Sequence, residues 1–338
     1  MDDRMRIEKH SSRRTAILVT SFLGACSIDQ SGIGSQTGTP CFHAARQRIT
    51  HGHLAKPDVD LYFEFHGQGP PLIALHGDVD HRLFHPVFDR LAEFATVLYY
   101  DRRGFGATRL RGKSAQDPRS PSIDIADLEA IADHFHWASV TLLAYSGGGP
   151  LGLEFALRRP ERVRALVLLS TYGDEGRRVE IAQLRVGDIL KDKVREAALA
   201  KLELEPPASA VARAIAEFEV LPHVHHRLPI PASTVRGWLE HDCLRPPGEA
   251  GAAHRSQWQR IACFGDRLRE LQCPTLILCG ACDAITPIEL SREMAASITG
   301  STLVEMQESG HLAFAEEADR FIEEVRRFIA SDPPRPGS

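Results

Sequence analysis

Between residues 59 and 169 short apolar runs alternate with segments of helical period, a pattern that commits a chain to a sheet with helices packed on its faces. Residues 59–65 (VDLYFEF) alternate apolar and polar side chains, a turn follows at 67–71, and 72–75 form a second run. Phe84, Val87, Phe88, Leu91 and Phe94 recur at helical spacing, and 96–100 read as another strand. A helix at 123–136, a strand at 140–144, a helix at 150–158 and a strand at 165–169 (ALVLL) continue the series. Parallel strands joined by right-handed helical crossovers satisfy it, so the expected class is α/β with a mostly parallel sheet.

The alternation stops at residues 171–266, which are rich in Ala, Leu, Glu and Arg and broken by Pro206-Pro207, Pro229, Pro231 and Pro246-Pro247. This segment reads as a helical cap inserted into one sheet. Strands resume at 274–278 and 302–305, and the last helix carries an apolar stripe of Phe314, Phe321, Ile322, Val325, Phe328 and Ile329. The expected organisation is therefore a core at 58–170 and 267–330, a cap at 171–266 and a disordered tail at 331–338. At 338 residues the chain exceeds the roughly 250 to 300 at which single cores stop growing, which suits a core with an insertion.

A 43% hydrophobic and 25% charged composition excludes disordered, collagen-like and multi-span membrane classes. With a net charge of −5 and no long basic run, the chain has no electrostatic footprint for nucleic acid, and a small-molecule substrate is the expected partner. Seven cysteines are too sparse for a disulfide scaffold. Cys279 and Cys282 are close enough for a redox pair or half a zinc site, but no second pair completes one and they end a strand; both read as buried thiols.

Residues 1–26 read as an export signal, with Arg13 and Arg14 preceding an apolar stretch at 15–23 too short to span a bilayer. Leu23-Gly24-Ala25-Cys26 resembles the bacterial lipobox, which implies a lipid on Cys26 and anchoring at a membrane. The competing reading is an unstructured N-terminus with an accidental apolar run and a cytoplasmic protein. Residues 27–57, rich in Gly, Ser, Thr, Gln and His, read as a flexible tether.

Candidate chemistry gathers at strand ends, where open α/β sheets place their ligands. In Ala144-Tyr145-Ser146-Gly147-Gly148-Gly149 a serine occupies a strand-to-helix turn, flanked two residues away by small side chains because the turn brings those positions together. Alanine stands where this turn usually has glycine. A serine hydroxyl needs a base, and the base needs an orienting acid. His311 lies between the last strand and last helix, and Asp283 follows the preceding strand, giving the order Ser, Asp, His.

Together these features resemble the α/β-hydrolase superfamily over residues 58–330. Leu75-His76-Gly77 matches its HG motif, Asp101-Arg102-Arg103-Gly104-Phe105-Gly106-Ala107-Thr108 is similar to its D-x-R-G-x-G-x-S loop, and Arg159-Pro160-Glu161-Arg162-Val163 is similar to the turn after its nucleophile helix. The resemblance implies a catalytic Ser146, Asp283 and His311, with an oxyanion hole formed by the backbone N–H groups of Gly147 and Asp78. A carboxylate at Asp78 would repel an oxyanion unless its side chain points away, for instance toward Arg82, Arg102 or Arg103. Asp80 raises the same question.

Asp174, just past the strand ending near Ser170, is the reserve choice of acid. His223, His225 and His226 read as a cap surface rather than metal ligands, since Pro222 interrupts the helix that would align them with Glu219. Ser146 to Gly149 lacks the Lys of a phosphate loop. No metal or organic cofactor is expected. The leading reading is hydrolysis of a small-molecule ester or lactone through an acyl-serine. The alternatives are a C–C bond hydrolase or small peptidase on the same residues, or a non-catalytic protein that binds a small ligand.

Overall fold

A computed structural model describes residues 49–77, 79–112, 121–190, 258–331, Thr234 and Trp238, with backbone alone at 185–190. In chain order its elements are β1 (Thr50–Ala55), β2 (Val59–His66), β3 (Pro71–Leu75), α1 (His85–Phe88), β4 (Thr96–Tyr100), β5 (Arg109–Leu110), α2 (Pro121–His134) and β6 (Val140–Tyr145). There follow α3 (Gly149–Arg158), β7 (Val163–Leu169), α4 (Glu175–Leu190), β8 (Thr275–Gly280), α5 (Ile288–Ser297), β9 (Thr302–Met306), α6 (Ala313–Glu316) and α7 (Ala318–Ala330).

The strands form one sheet in the order β1-β2-β4-β3-β6-β7-β8-β9, with β5 on β2. From β4 through β9 neighbours are parallel, while β2 runs antiparallel to β1, β4 and β5. This is the expected α/β class. The chain leaves β3 toward β4 on one side and reaches β6 on the other, so the order reverses at β3 and a crevice opens at the carboxyl ends of β3 and β6.

Both faces of the central strands are buried, which explains why they read as continuous apolar runs. Ile73, Leu75, Leu142, Ala144, Leu166 and Leu168 face α2, α3 and α5, where they meet Leu128, Phe155 and Met294. Their chain neighbours Leu72, Ala74, Leu143, Tyr145, Val167 and Leu169 face Phe84, Phe88, Phe314 and Phe321 on the other side. Fully buried Phe155 and Phe321 each carry a truncation cost of about 3 to 5 kcal/mol.

Most of the segment expected as a cap lies outside the described residues, but two of its tryptophans dock on opposite faces of the core. Trp238 is fully buried and donates from Nε1 to the Leu83 carbonyl at 2.8 Å. Trp258 donates from Nε1 to Asp124 Oδ2. The tether expected at 27–57 is corrected at its end, since Thr50–Ala55 forms an edge strand on β2. Half of that strand faces solvent, so polar His51 and His53 hide its alternation. Cys26 and the rest of the expected leader lie outside the described residues. Among the described residues no helix is long and apolar enough to cross a membrane.

Candidate active site

β6 ends at Tyr145 and the chain turns through Ser146–Gly148 directly into α3. Ser146 has φ +50°, left-handed backbone that costs a non-glycine residue about 1 to 3 kcal/mol and persists only where its surroundings enforce it. Here they do. A Cβ at Gly148 would strike the carbonyl oxygens of Leu75 and His76, and one at Gly149 would strike Thr171 Oγ1. The Thr171 hydroxyl donates to the Ser146 carbonyl at 2.6 Å, tying the turn to the end of β7. Alanine at 144 is accommodated from the other side, because a Cβ at Gly152 would lie 2.9 Å from the Ala144 methyl and glycine there leaves the space free.

The loop after β9 brings His311 to this turn, and the loop after β8 brings Asp283. His311 Nε2 lies 3.1 Å from Ser146 Oγ, and His311 Nδ1 lies 2.9 Å from Asp283 Oδ2. With the Nδ1 hydrogen donated to the carboxylate, the Nε2 lone pair faces the serine hydroxyl. Asp283, 3% exposed, is fixed by further donors: the Ile285 and Thr286 N–H groups reach Oδ1, each at 2.8 Å, and the Thr286 hydroxyl reaches Oδ2 at 2.7 Å. Close passage of the Ser309 and Gly310 carbonyls over Gly280 sets the two loops side by side.

The HG turn packs directly on the serine turn. A Cβ at Gly77 would lie 3.0 Å from both the Gly147 nitrogen and Ser146 Cβ, tighter than side chains normally pack, so glycine lets the two backbones meet without a shift. Gly147 lies in the turn that leads into α3, whose N-terminal N–H groups favour negative charge. Asp78, the other expected donor, lies outside the described residues. Its neighbours are held firmly. Arg102 Nη2 donates to the Gly77 carbonyl at 2.6 Å, and the Arg102 N–H donates to His76 Nε2 at 3.0 Å. Complete burial, reinforced by the Arg102 charge, pushes the His76 pKa down to about 3, so this imidazole is neutral and accepts through Nε2. Asp80 receives hydrogen bonds from Arg82 N and Nε, at 3.1 and 2.9 Å.

The loop from Asp101 to Thr108 is a brace for this region. Asp101 Oδ2 accepts the Ala107 N–H at 2.7 Å, and a Cβ at Gly106, which has φ +47°, would collide with that carboxylate. Arg103 Nη2 donates to Asp127 Oδ1 at 3.0 Å and Arg103 Nη1 to Asp58 Oδ2 at 2.5 Å, joining the residue before β2, the loop and α2. Thr108, in the place of the family's serine, donates from Oγ1 to the Asp101 carbonyl at 2.6 Å and accepts the Tyr62 N–H at 2.9 Å.

Asp174 is corrected as a reserve acid. Its Oδ1 accepts the Arg177 N–H at 2.8 Å and its Oδ2 takes the Cys263 thiol at 3.3 Å, so the carboxylate caps α4 while Asp283 occupies the position beside His311. Cys279 is buried as expected, whereas Cys282 is half-buried. His223, His225 and His226 lie outside the described residues. A cluster that sequence reasoning passed over, Glu64, His81 and His85, joins β2 to the segment after β3. The available signal was the spacing of the two histidines, one helical turn apart.

The family profile described as alpha/beta hydrolase fold matches residues 70–318. Among curated relatives, the chain is 27% identical over 277 residues to a pimeloyl-[acyl-carrier protein] methyl ester esterase of Chromobacterium violaceum, covering 78% of this chain and 96% of that one. It is 26% identical over 299 residues to an uncharacterized protein of Mycobacterium tuberculosis, covering 85% of this chain and 81% of the other. Among solved structures, an alpha/beta fold family hydrolase from Bacillus anthracis superposes with a TM-score of 0.64 at 19% identity, over 83% of this chain and 99% of that one.

Proposed function

Since the chain belongs to the alpha/beta hydrolase family, we propose that it hydrolyses a small-molecule carboxylic ester through an acyl-serine intermediate. One observation carries the reading, the hydrogen-bonded line from Ser146 Oγ through His311 to Asp283 Oδ2, with spans of 3.1 and 2.9 Å. His311 Nε2 takes the hydroxyl proton as Ser146 attacks the carbonyl carbon, then returns it to the departing alkoxide. Asp283 stabilises the imidazolium between those steps. Backbone N–H groups of Gly147 and Asp78 receive the negative oxygen, an interaction worth about 3 kcal/mol per donor in related chemistry. Water deprotonated by His311 then cleaves the acyl-serine and releases the acid.

The likeness to a methyl ester esterase along 96% of its length supports an ester as the bond cleaved. A panel of chromogenic esters and lactones tests this, with Ser146→Ala as control. Turnover falling by roughly 10³-fold or more in that variant is the expected result. A wild-type protein silent on the whole panel would turn the reading toward carbon–carbon or peptide bonds.

A second part of the proposal concerns location. The lipobox-like Leu23-Gly24-Ala25-Cys26 supports export and attachment to a membrane through lipid on Cys26.

A further inference from the structure

Outside the serine site, three side chains from three segments converge on one point. Glu64 comes from β2, His81 from the turn after β3 and His85 from α1. His81 Nε2 lies 3.3 Å from Glu64 Oε1, and His85 Nε2 lies 3.2 Å from Glu64 Oε2. One donor atom from each of the three falls within 4.8 Å of the others. In a tetrahedral zinc site with bonds of about 2.0 to 2.1 Å, neighbouring donor atoms stand about 3.3 Å apart. The two histidine-to-carboxylate spacings have that length, each to a different oxygen of Glu64.

The far nitrogens of both rings are also placed as a metal site requires. His81 Nδ1 lies 2.7 Å from Asp101 Oδ1, and His85 Nδ1 lies 3.0 Å from Asp89 Oδ1. Each carboxylate takes the Nδ1 hydrogen and turns Nε2 inward, the outer-shell arrangement that fixes ring orientation in histidine-ligated metals. Tyr62 OH donates to Glu64 Oε1 and Tyr99 OH to Asp89 Oδ1, at 2.9 Å for the latter, so both acids are themselves held.

We propose that Glu64, His81 and His85 bind one divalent transition-metal cation, zinc(II) in particular, with Asp101 and Asp89 as outer-shell carboxylates. The neighbouring group Asp80, His81 and Asp101 is less suited, because Asp80 is bound by Arg82 and His81 directs Nδ1 at Asp101. Exposed His51 stands opposite Glu64 across the β1–β2 pair. Such an ion would pin β2 to the segment that follows His76-Gly77.

The test uses the full chain, stripped with a chelator and titrated with zinc sulfate by calorimetry at pH 8. One equivalent bound at micromolar or tighter dissociation constant is expected, weakened at least 100-fold by Glu64→Gln and by His85→Ala. Asp89→Asn, which touches only the outer shell, should weaken it by about 10- to 100-fold. X-ray absorption of the zinc-loaded wild type supplies a readout that does not depend on the variants folding. Two imidazole nitrogens at about 2.0 Å are expected. Sulfur scattering, a single imidazole, no stoichiometric binding, or unchanged affinity in folded Glu64→Gln and His85→Ala would overturn the site.

Discussion

The Thr286 hydroxyl bridges the acid and the imidazole: it donates to Asp283 Oδ2 at 2.7 Å and stands 3.2 Å from His311 Nδ1. Thr286 is 1% exposed and lies three residues after Asp283, so a tight turn folds the hydroxyl back over the carboxylate that orients the ring. It is a positioning residue, acting through Asp283. Thr286→Val keeps the shape and removes one donor to a charged acceptor, worth about 1.5 to 3 kcal/mol. The expected result is a fall in kcat of about tenfold to a hundredfold with KM little changed, measured by steady-state kinetics, with Thr286→Ser restoring most of it.

The serine turn tolerates one methyl group between β6 and α3, and Ala144 supplies it. Gly152→Ala adds a second at 2.9 Å and should destabilise the fold by about 1 to 3 kcal/mol. Ala144→Gly alone costs about 0.5 to 1 kcal/mol through backbone entropy. The double variant Ala144→Gly/Gly152→Ala moves the methyl across the interface, so its loss should be clearly smaller than the sum of the singles. Urea unfolding of the four proteins measures this.

His76 makes the fold sensitive to acid. Its folded-state pKa is about 3 against an ordinary 6.5, so the unfolded chain binds a proton between those values that the folded chain refuses. Stability contributed by this group is therefore complete above about pH 6.5 and is lost as pH falls, by roughly 3 kcal/mol at pH 4. His76→Asn, which cannot titrate, should show a shallower decline in unfolding free energy from pH 7 to pH 4 than wild type.

The proposed export is tested at the N-terminus of the expressed protein. Mass spectrometry of membrane-fraction protein expressed in a bacterial host should show a chain beginning at lipid-modified Cys26. An unmodified Cys26 within an uncleaved chain contradicts it.

The parts of this fold that sequence revealed most readily are those where one physical demand leaves a local mark. Strands buried on both faces, such as Ala165 to Leu169, announce themselves as apolar runs. Ser146, Asp283 and His311 stand out in the sequence because each follows a strand in a telling order, and the fold sets His311 3.1 Å from Ser146 and 2.9 Å from Asp283. Edge strand β1 was hidden because an exposed face imposes no hydrophobic rule. Asp174 and Asp283 looked alike as loop acids after strands, and only tertiary contact separates a helix cap from the partner of His311. Glu64, His81 and His85 escaped because their association depends on how the turn after β3 folds back over β2.

Whether His311 makes Ser146 nucleophilic is decided by reaction with a fluorophosphonate followed by peptide mass spectrometry. One adduct is expected, on the peptide containing Ser146, absent in Ser146→Ala and formed at least roughly 10³-fold more slowly in His311→Ala. A folded wild-type protein that stays unlabelled, or an adduct that persists in Ser146→Ala, would refute activation of this serine.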